Sequence, residues 1–186
     1  NFDEPSIEER GDGSLWLLIR GMNCVGESFS RDGGRTWTIP HQNRRLNLPD
    51  THFYMARLKS GNLLLLANYR ADMFSYYCGR NRLTALLSRD DGATWEGFFS
   101  IDAREGAEQP DFTEADNGFL YISYGRAPQF AGETLMAIVT EQDILAGRLT
   151  NPASRLRIPV GRAKGIGLRS DYANVREAAM QYGIEL

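Results

Sequence analysis

Residues 30–37 read Ser-Arg-Asp-Gly-Gly-Arg-Thr-Trp, and residues 88–95 read Ser-Arg-Asp-Asp-Gly-Ala-Thr-Trp. The shared frame Ser-x-Asp-x-Gly-x-Thr-Trp keeps five residue types in register at an offset of 58 residues, the mark of a duplicated structural unit. Each position has a mechanical task. Asp32 is suited to accept hydrogen bonds from backbone N–H groups of its own turn, as in an Asx-turn. Gly34 supplies a positive φ without steric cost. Trp37 is expected to wedge its indole between neighbouring units. Ser30 and Thr36 complete this copy, and Ser88, Asp90, Gly92, Thr94 and Trp95 repeat it. Identical residues at two equivalent places argue for structure over catalysis.

Around each copy runs a second repeat, a glycine turn followed by an apolar strand and an arginine. It reads Gly13 to Arg20, Gly61 to Arg70 and Gly118 to Arg126. A short strand is expected before each turn, over Pro5–Glu9, Phe53–Leu58 and Phe112–Ala115. Another is expected after each arginine, over Val25–Phe29, Leu83–Leu87 and Leu135–Thr140. Asp-Gly, Ser-Gly and Asn-Gly pairs bound these runs and signal hairpins. In the first two units the segments at Trp37 and Trp95 supply a fourth strand. The third unit departs from this pattern. Thr140-Glu-Gln-Asp-Ile-Leu-Ala-Gly147 reads there as a capped helical turn with a glycine stop.

Four-stranded antiparallel meanders of roughly 50–60 residues, repeated, describe an all-β chain folded as blades of a β-propeller. The blades are expected over about 3–45, 50–105 and 108–160, together spanning 1–168. Residues 169–186 form a tail. Within it Tyr172, Val175, Ala179 and Tyr182 follow a helical period between Ser170 and Gly183.

Composition excludes other classes. In 186 residues 42% are apolar, and 9 Phe, 8 Tyr and 3 Trp are incompatible with intrinsic disorder. The longest apolar run, Leu63 to Ala67, is too short to cross a bilayer as a helix, so no membrane partner is expected. With 21 basic and 24 acidic residues the net charge is −3, which offers no basic field to nucleic acid. Two cysteines, Cys24 and Cys78, exclude a disulfide scaffold and a cysteine-rich metal site; they fall in corresponding loops of adjacent units and read as free thiols, with their pairing the alternative. No cofactor or metal is implied, since Gly165-Ile-Gly167 lacks the strand–helix context of a nucleotide site.

Antiparallel topology sorts the polar residues. The Asp-containing turns fall on one rim. Glu4, Arg20, His52, Arg70, Arg82, Gln109 and Arg126 fall at strand starts and ends and are expected to converge on the other. Arginines beside a carboxylate suit an anionic ligand, because guanidinium binds carboxylate bidentately. His52 is a candidate acid/base or ligand contact. His41 follows Pro40 in an interblade loop and reads as bland. Phe74, Tyr76 and Tyr77 form an aromatic patch after Arg70, suited either to stacking on sugar rings or to packing.

The repeated turn resembles the Asp-box, or bacterial neuraminidase repeat, of the sialidase superfamily. That resemblance extends through the glycine-to-arginine repeat from about Asp3 to Gly147. It implies a six-bladed propeller, of which this chain would be the C-terminal half, with the other half as its partner. Sialidases hold the sugar carboxylate with three arginines, use a tyrosine nucleophile activated by a glutamate, and carry an aspartate acid/base. Asp3-Glu4-Pro5 followed by Leu18-Ile19-Arg20 resembles the family's glutamate and second arginine. Asn81-Arg82 resembles the third. The first arginine and the aspartate would lie upstream of Asn1. Where the tyrosine is expected, Ala107-Glu108-Gln109-Pro110-Asp111 places Gln109.

The resulting expectation is a sialidase-like glycoside hydrolase acting on a terminal, anionic sugar of a glycan or oligosaccharide. Glu4 is its general base or charge partner, and Arg20 and Arg82 clamp the carboxylate. Gln109 and His52 tune specificity, and Arg70 and Arg126 add substrate contacts. A non-catalytic carbohydrate-binding propeller and a polysaccharide lyase are the alternatives.

Overall fold

The computed structural model describes residues 2–21, 24–46, 48–69, 79–126 and 132–162. Arg70, Phe74, Tyr76, Tyr77, Cys78, the Gly165–Gly167 segment and the helix expected over Ser170–Gly183 lie outside the described residues.

Three four-stranded antiparallel sheets follow one another along the chain. The first holds β1 (Phe2–Glu9), β2 (Leu15–Gly21), β3 (Cys24–Ser30) and β4 (His41–Asn43) in that order. Next come β5 (Tyr54–Arg57), β6 (Leu63–Asn68), β7 (Leu83–Ser88) and β8 (Glu96–Asp102). The third sheet is β9 (Ala107–Glu114), β10 (Leu120–Arg126), β11 (Glu133–Val139) and β12 (Arg155–Arg162), with α1 (Glu141–Ala146) between its last two strands. These are three blades of a β-propeller.

The first hairpin of every blade closes in the same way. Gly13, Gly61 and Gly118 have φ of 78°, 91° and 80°, and each N–H donates back across the turn to Arg10, Leu58 or Ala115. Only a residue without Cβ takes that conformation at no cost, which explains the glycine at three equivalent places.

β6 explains how the blades pack. It reads Leu-Leu-Leu-Leu-Ala-Asn, and all six residues are buried. Leu63, Leu65 and Ala67 join Trp16, Leu18, Val25, Phe53 and Met55 in one core. Leu64 and Leu66 face Ala107, Leu120, Ile122 and Tyr124 in the other. A strand covered on both faces needs an uninterrupted apolar run rather than an alternating one. The second blade is thus sandwiched between the first and the third.

The two repeated turns share one hydrogen-bond network. Asp32 Oδ1 accepts from Ser30 Oγ at 2.9 Å and from Thr36 N at 2.9 Å, and Oδ2 accepts from Thr36 Oγ1 at 2.6 Å. Asp90 repeats this with Ser88 and Thr94 at 2.8, 2.8 and 2.6 Å. Bonds from the Thr36 hydroxyl and backbone hold the Asp32 carboxyl down at about 2. Gly34 and Gly92 donate to Ser30 Oγ and Ser88 Oγ.

Trp37 does not form the wedge expected of it. It is 37% exposed, and its Nε1 donates to Gly34 O in its own turn. Trp95, its counterpart, does pack on the core shared by the first two blades. The difference lies in the neighbours, because among the described residues no sheet covers the face of the first blade where Trp37 projects. Trp16 supplies the contact between the first two blades: a Cβ on Gly92 would stand 2.2 Å from its ring.

The helical turn of the third blade forms as expected. Thr140 caps α1 in a reciprocal box with Asp143, and Gly147 ends it at φ 63°. Buried Asp143 also accepts from Thr150 Oγ1 at 2.8 Å, Asn151 N at 3.1 Å and Ser154 Oγ at 2.5 Å. One carboxylate therefore ties the β11–β12 connection together, as Asp32 and Asp90 tie theirs.

Candidate functional site

Glu4 stands at a break in β1. Asp3 pairs with Arg20 and Pro5 with Ile19, so Glu4 is an extra residue with φ 47°. Proline cannot donate to the ladder, and Pro5 marks the place where pairing is interrupted. β9 carries the same device at Gln109-Pro110, with Gln109 at φ 53° and a matching register shift. Glu4 and Gln109 are thus equivalent positions of the first and third blades.

Arg20, at the end of β2, gathers the acids around it. Its Nη1 hydrogen-bonds Glu4, its Nε donates to Asp50 Oδ1 at 2.7 Å, and Asp3 lies 3.6 Å from Nε. Burial opposes its charge, but the bonds to Glu4 and Asp50 outweigh that and hold the guanidinium protonated. His52 approaches from the second blade, its Nδ1 3.6 Å from Glu4 Oε2. That nitrogen is buried and makes no hydrogen bond among the described residues. Glu4, Arg20 and His52, expected together, are together, and Asp3 and Asp50 join them. Three carboxylates against one guanidinium give this cluster a charge of −2 with the imidazole neutral.

The other rim residues go elsewhere. Counted from Gly13, Gly61 and Gly118, Arg20, Asn68 and Gly125 each stand seven residues on, while Arg70 and Arg126 stand nine and eight on. The arginines of the repeat are therefore not equivalent. Asn68, in the Arg20 position, donates to Asn81 O and Ala107 O and stitches the second blade to the third. Arg126 lies on the opposite face from Arg20, where its Nε donates to Glu105 O at 3.1 Å and its Nη1 stands 3.7 Å from Glu133. Beside it Arg104 forks onto buried Asp102, which also accepts from Tyr124 OH at 3.1 Å. Burial and the Asp102 charge push the Tyr124 hydroxyl well above its usual range, so it holds its proton. Gln109 is exposed and takes no part in the ion pairs around Arg20.

Arg82 also stays out of the cluster. It is exposed at the start of β7 with φ 52° and lines a cavity of about 450 Å³ with Tyr69, Thr84, Phe98, Ser100 and Ala103. Among the described residues Arg82 forms no ion pair with Asp3, Glu4 or Asp50. A further acid appears at the rim: Glu108 pairs with Arg80 at 2.9 Å, and burial, opposed by Arg80, raises its carboxyl above the usual range. Asp50 and Glu108 were legible only as loop and strand-start acids. The shared signal that marks this rim is the X-Pro pair at 4–5 and 109–110.

The cluster places a carboxylate between a guanidinium and an imidazole, an arrangement suited to proton transfer or to stabilising a developing positive charge. Among the described residues no group of three or more His, Cys, Asp or Glu side chains is disposed to hold a metal ion. Likewise no described helix is long and apolar enough to cross a membrane.

Residues 3–122 match the family described as "BNR repeat-like domain". No curated protein matches the chain by sequence. Among solved structures, the fold resembles a GH43 β-1,3-galactosidase (TM-score 0.59, 13% identity, 84% of this chain and 32% of that one). It also resembles the intramolecular trans-sialidase of Ruminococcus gnavus in complex with oseltamivir carboxylate (TM-score 0.55, 18% identity, 76% of this chain and 33% of that one). A putative exo-β-1,3-galactanase of Bifidobacterium bifidum aligns at TM-score 0.53 and 12% identity, over 83% of this chain and 50% of that one. The chain thus spans a third to a half of the length of these proteins.

Proposed function

From a chain that belongs to the BNR repeat-like domain family, we propose a carbohydrate-active propeller that hydrolyses a terminal glycosidic bond at the rim around Glu4. The observation that carries this reading is Glu4 itself, held at a bulge between Arg20 and His52. Glycoside hydrolysis passes through a transition state with positive charge on the sugar ring, and it needs one carboxyl to give or take a proton and another group to stabilise that charge. The −2 cluster favours such a cation. Glu108, whose carboxyl retains its proton to higher pH than usual, is a second rim acid suited to protonating a leaving group. The similarity in fold to sialidases and galactosidases is consistent with this reading, and sialoside specificity is its narrower form.

A second reading, a propeller that binds glycans without cleaving them, draws on one observation. Gln109 occupies the bulge where the sialidase resemblance expects tyrosine, and buried Tyr124 is committed to Asp102.

Turnover separates the two. The full-length protein is incubated with aryl glycosides of neutral hexoses, uronic acids and sialic acid, and Glu4→Gln is compared with wild type. Hydrolysis that falls about 100-fold or more in the variant, with the fold intact by circular dichroism, supports the hydrolase. Binding without turnover of any member supports the second reading, and cleavage of sialosides alone supports the narrower form.

A further inference from the structure

We infer that Arg80 is a positioning residue for the proposed hydrolysis: from the second blade it holds the Glu108 carboxyl of the third blade as the proton donor to the departing group. This rests on the hydrolase reading above and deepens it with a residue to which that reading gives no role.

The pair spans the seam between the second and third blades. Arg80 Nε lies 2.9 Å from Glu108 Oε2, and the two side chains are 20% and 17% exposed. Three hydrogen bonds clamp the backbone beside them. Gly106 N donates to Arg80 O at 2.6 Å, and Asn68 Nδ2 donates to Asn81 O at 2.8 Å and to Ala107 O at 3.0 Å. Asn68 is fully buried, so one side chain fixes the neighbours of Arg80 and of Glu108 at once. A pair anchored from both sides is preorganised, as proton transfer over a fixed distance requires.

The third sheet itself explains why the guanidinium comes from another blade. In the first blade Asp3, the residue before the bulge, pairs across the ladder with Arg20. In the third blade Glu108 holds the corresponding place before the bulge at Gln109, and it pairs with Gly125. Gly125 has no side chain, and a Cβ there would stand 3.9 Å from Glu108 Cγ. The glycine leaves room for Glu108, and Arg80 supplies the charge that Arg20 supplies in the first blade.

Two opposed influences act on Glu108. Burial favours its protonated form, and the Arg80 guanidinium, the smaller effect, favours the carboxylate. Charges on the adjoining elements are directed elsewhere. Arg126 of β10 turns to Glu105 O and Glu133, Arg104 forks onto Asp102, Asp111 of β9 accepts from Phe112 N, and Arg82 is exposed. Glu108 thus holds its proton before the reaction, and Arg80 keeps it from becoming an unpaired buried charge afterwards. In the step itself the proton passes to the glycosidic oxygen as its bond to the anomeric carbon breaks. The bonding pair leaves with that oxygen, as an alcohol. Water adds at the anomeric carbon and gives its proton to Glu4, and exchange with solvent restores both acids.

The test is the kinetics of the full-length protein on two aryl glycosides of a sugar that wild type hydrolyses, one with a phenyl and one with a 2,4-dinitrophenyl leaving group. Phenolate needs a proton to depart, and dinitrophenolate does not. Glu108→Gln should slow the phenyl glycoside about 100-fold or more and the dinitrophenyl glycoside less than about tenfold. The ratio of the two rates is independent of how much of the variant is folded. Arg80→Met removes the charge that opposes burial, so Glu108 keeps its proton to higher pH. The upper limb of kcat/KM against pH on the phenyl glycoside should then move up by about one pH unit or more. Arg80→Lys, which restores the charge, should bring the limb back toward wild type. Equal losses on both substrates in Glu108→Gln, or an unmoved limb in Arg80→Met, overturn the inference and leave the hydrolase reading standing. No hydrolysis of any aryl glycoside by wild type overturns both.

Discussion

At the residue scale, small positions decide whether the blades seat. Gly92 has φ 81°, and any Cβ there would meet the Trp16 ring at 2.2 Å. Gly92→Ala combines backbone strain with overpacking and should cost about 2 kcal/mol or more, read as a lower urea midpoint at unchanged slope. Asp143 makes the opposite kind of contribution, through a satisfied buried charge. Burial raises its carboxyl, but hydrogen bonds from Ser154 and Thr150 prevail and hold it far below the usual carboxylate range. A depressed native value means stability that is present above the unfolded value near about 3.9 and lost as pH falls through the native one. Thermal melts should therefore show Asp143→Asn well below wild type at pH 7, and the gap should narrow as pH drops below about 4. An unchanging gap would mean the charge is not what matters. Residue types at this scale were readable: Asp32 and Asp90 bond within their turns as the motif requires. Direction was not. Arg20 and Arg126 look alike in sequence, yet Arg126 stands one residue further from its glycine turn, which turns the two to opposite faces of their sheets.

At the element scale, the strands show which patterns carry information. β6 reads as a continuous leucine run, and Leu65 and Leu66 are both fully buried, facing different blades. Leu65→Ala and Leu66→Ala should each cost roughly 2–5 kcal/mol, whereas Ile7→Ala, at a side chain 51% exposed, should cost under about 1 kcal/mol. Equal losses at all three would contradict the sandwiched strand. The hairpins and α1 were legible because glycine turns and a cap are local signals with a local cause. β9 was expected to start at Phe112 and starts at Ala107, because Pro110 sits in a bulge that the strand passes through rather than at its end. Trp37 was expected to wedge and stays on its own turn, since what a side chain packs against is set by the neighbouring sheet and not by its own motif.

At the scale of the molecule, three sheets share two cores, and the Glu4 cluster forms where the first blade meets the second. β1 and β2 bring Asp3, Glu4 and Arg20, and the segment before β5 brings Asp50 and His52. The repeat made the propeller readable from sequence, and antiparallel topology made readable that Glu4, Arg20 and His52 share a rim. The acids that complete the cluster were not, because Asp50 reaches Arg20 only once two blades are docked. A glycan is proposed to be held at this seam. Its presence there is tested most directly by a crystal structure of the full-length Glu4→Gln protein soaked with a glycoside that the protein binds. The expected density is a sugar ring within hydrogen-bond reach of residue 4, Arg20 and His52. Sugar density found solely on other surfaces, with the seam left to water, would contradict it.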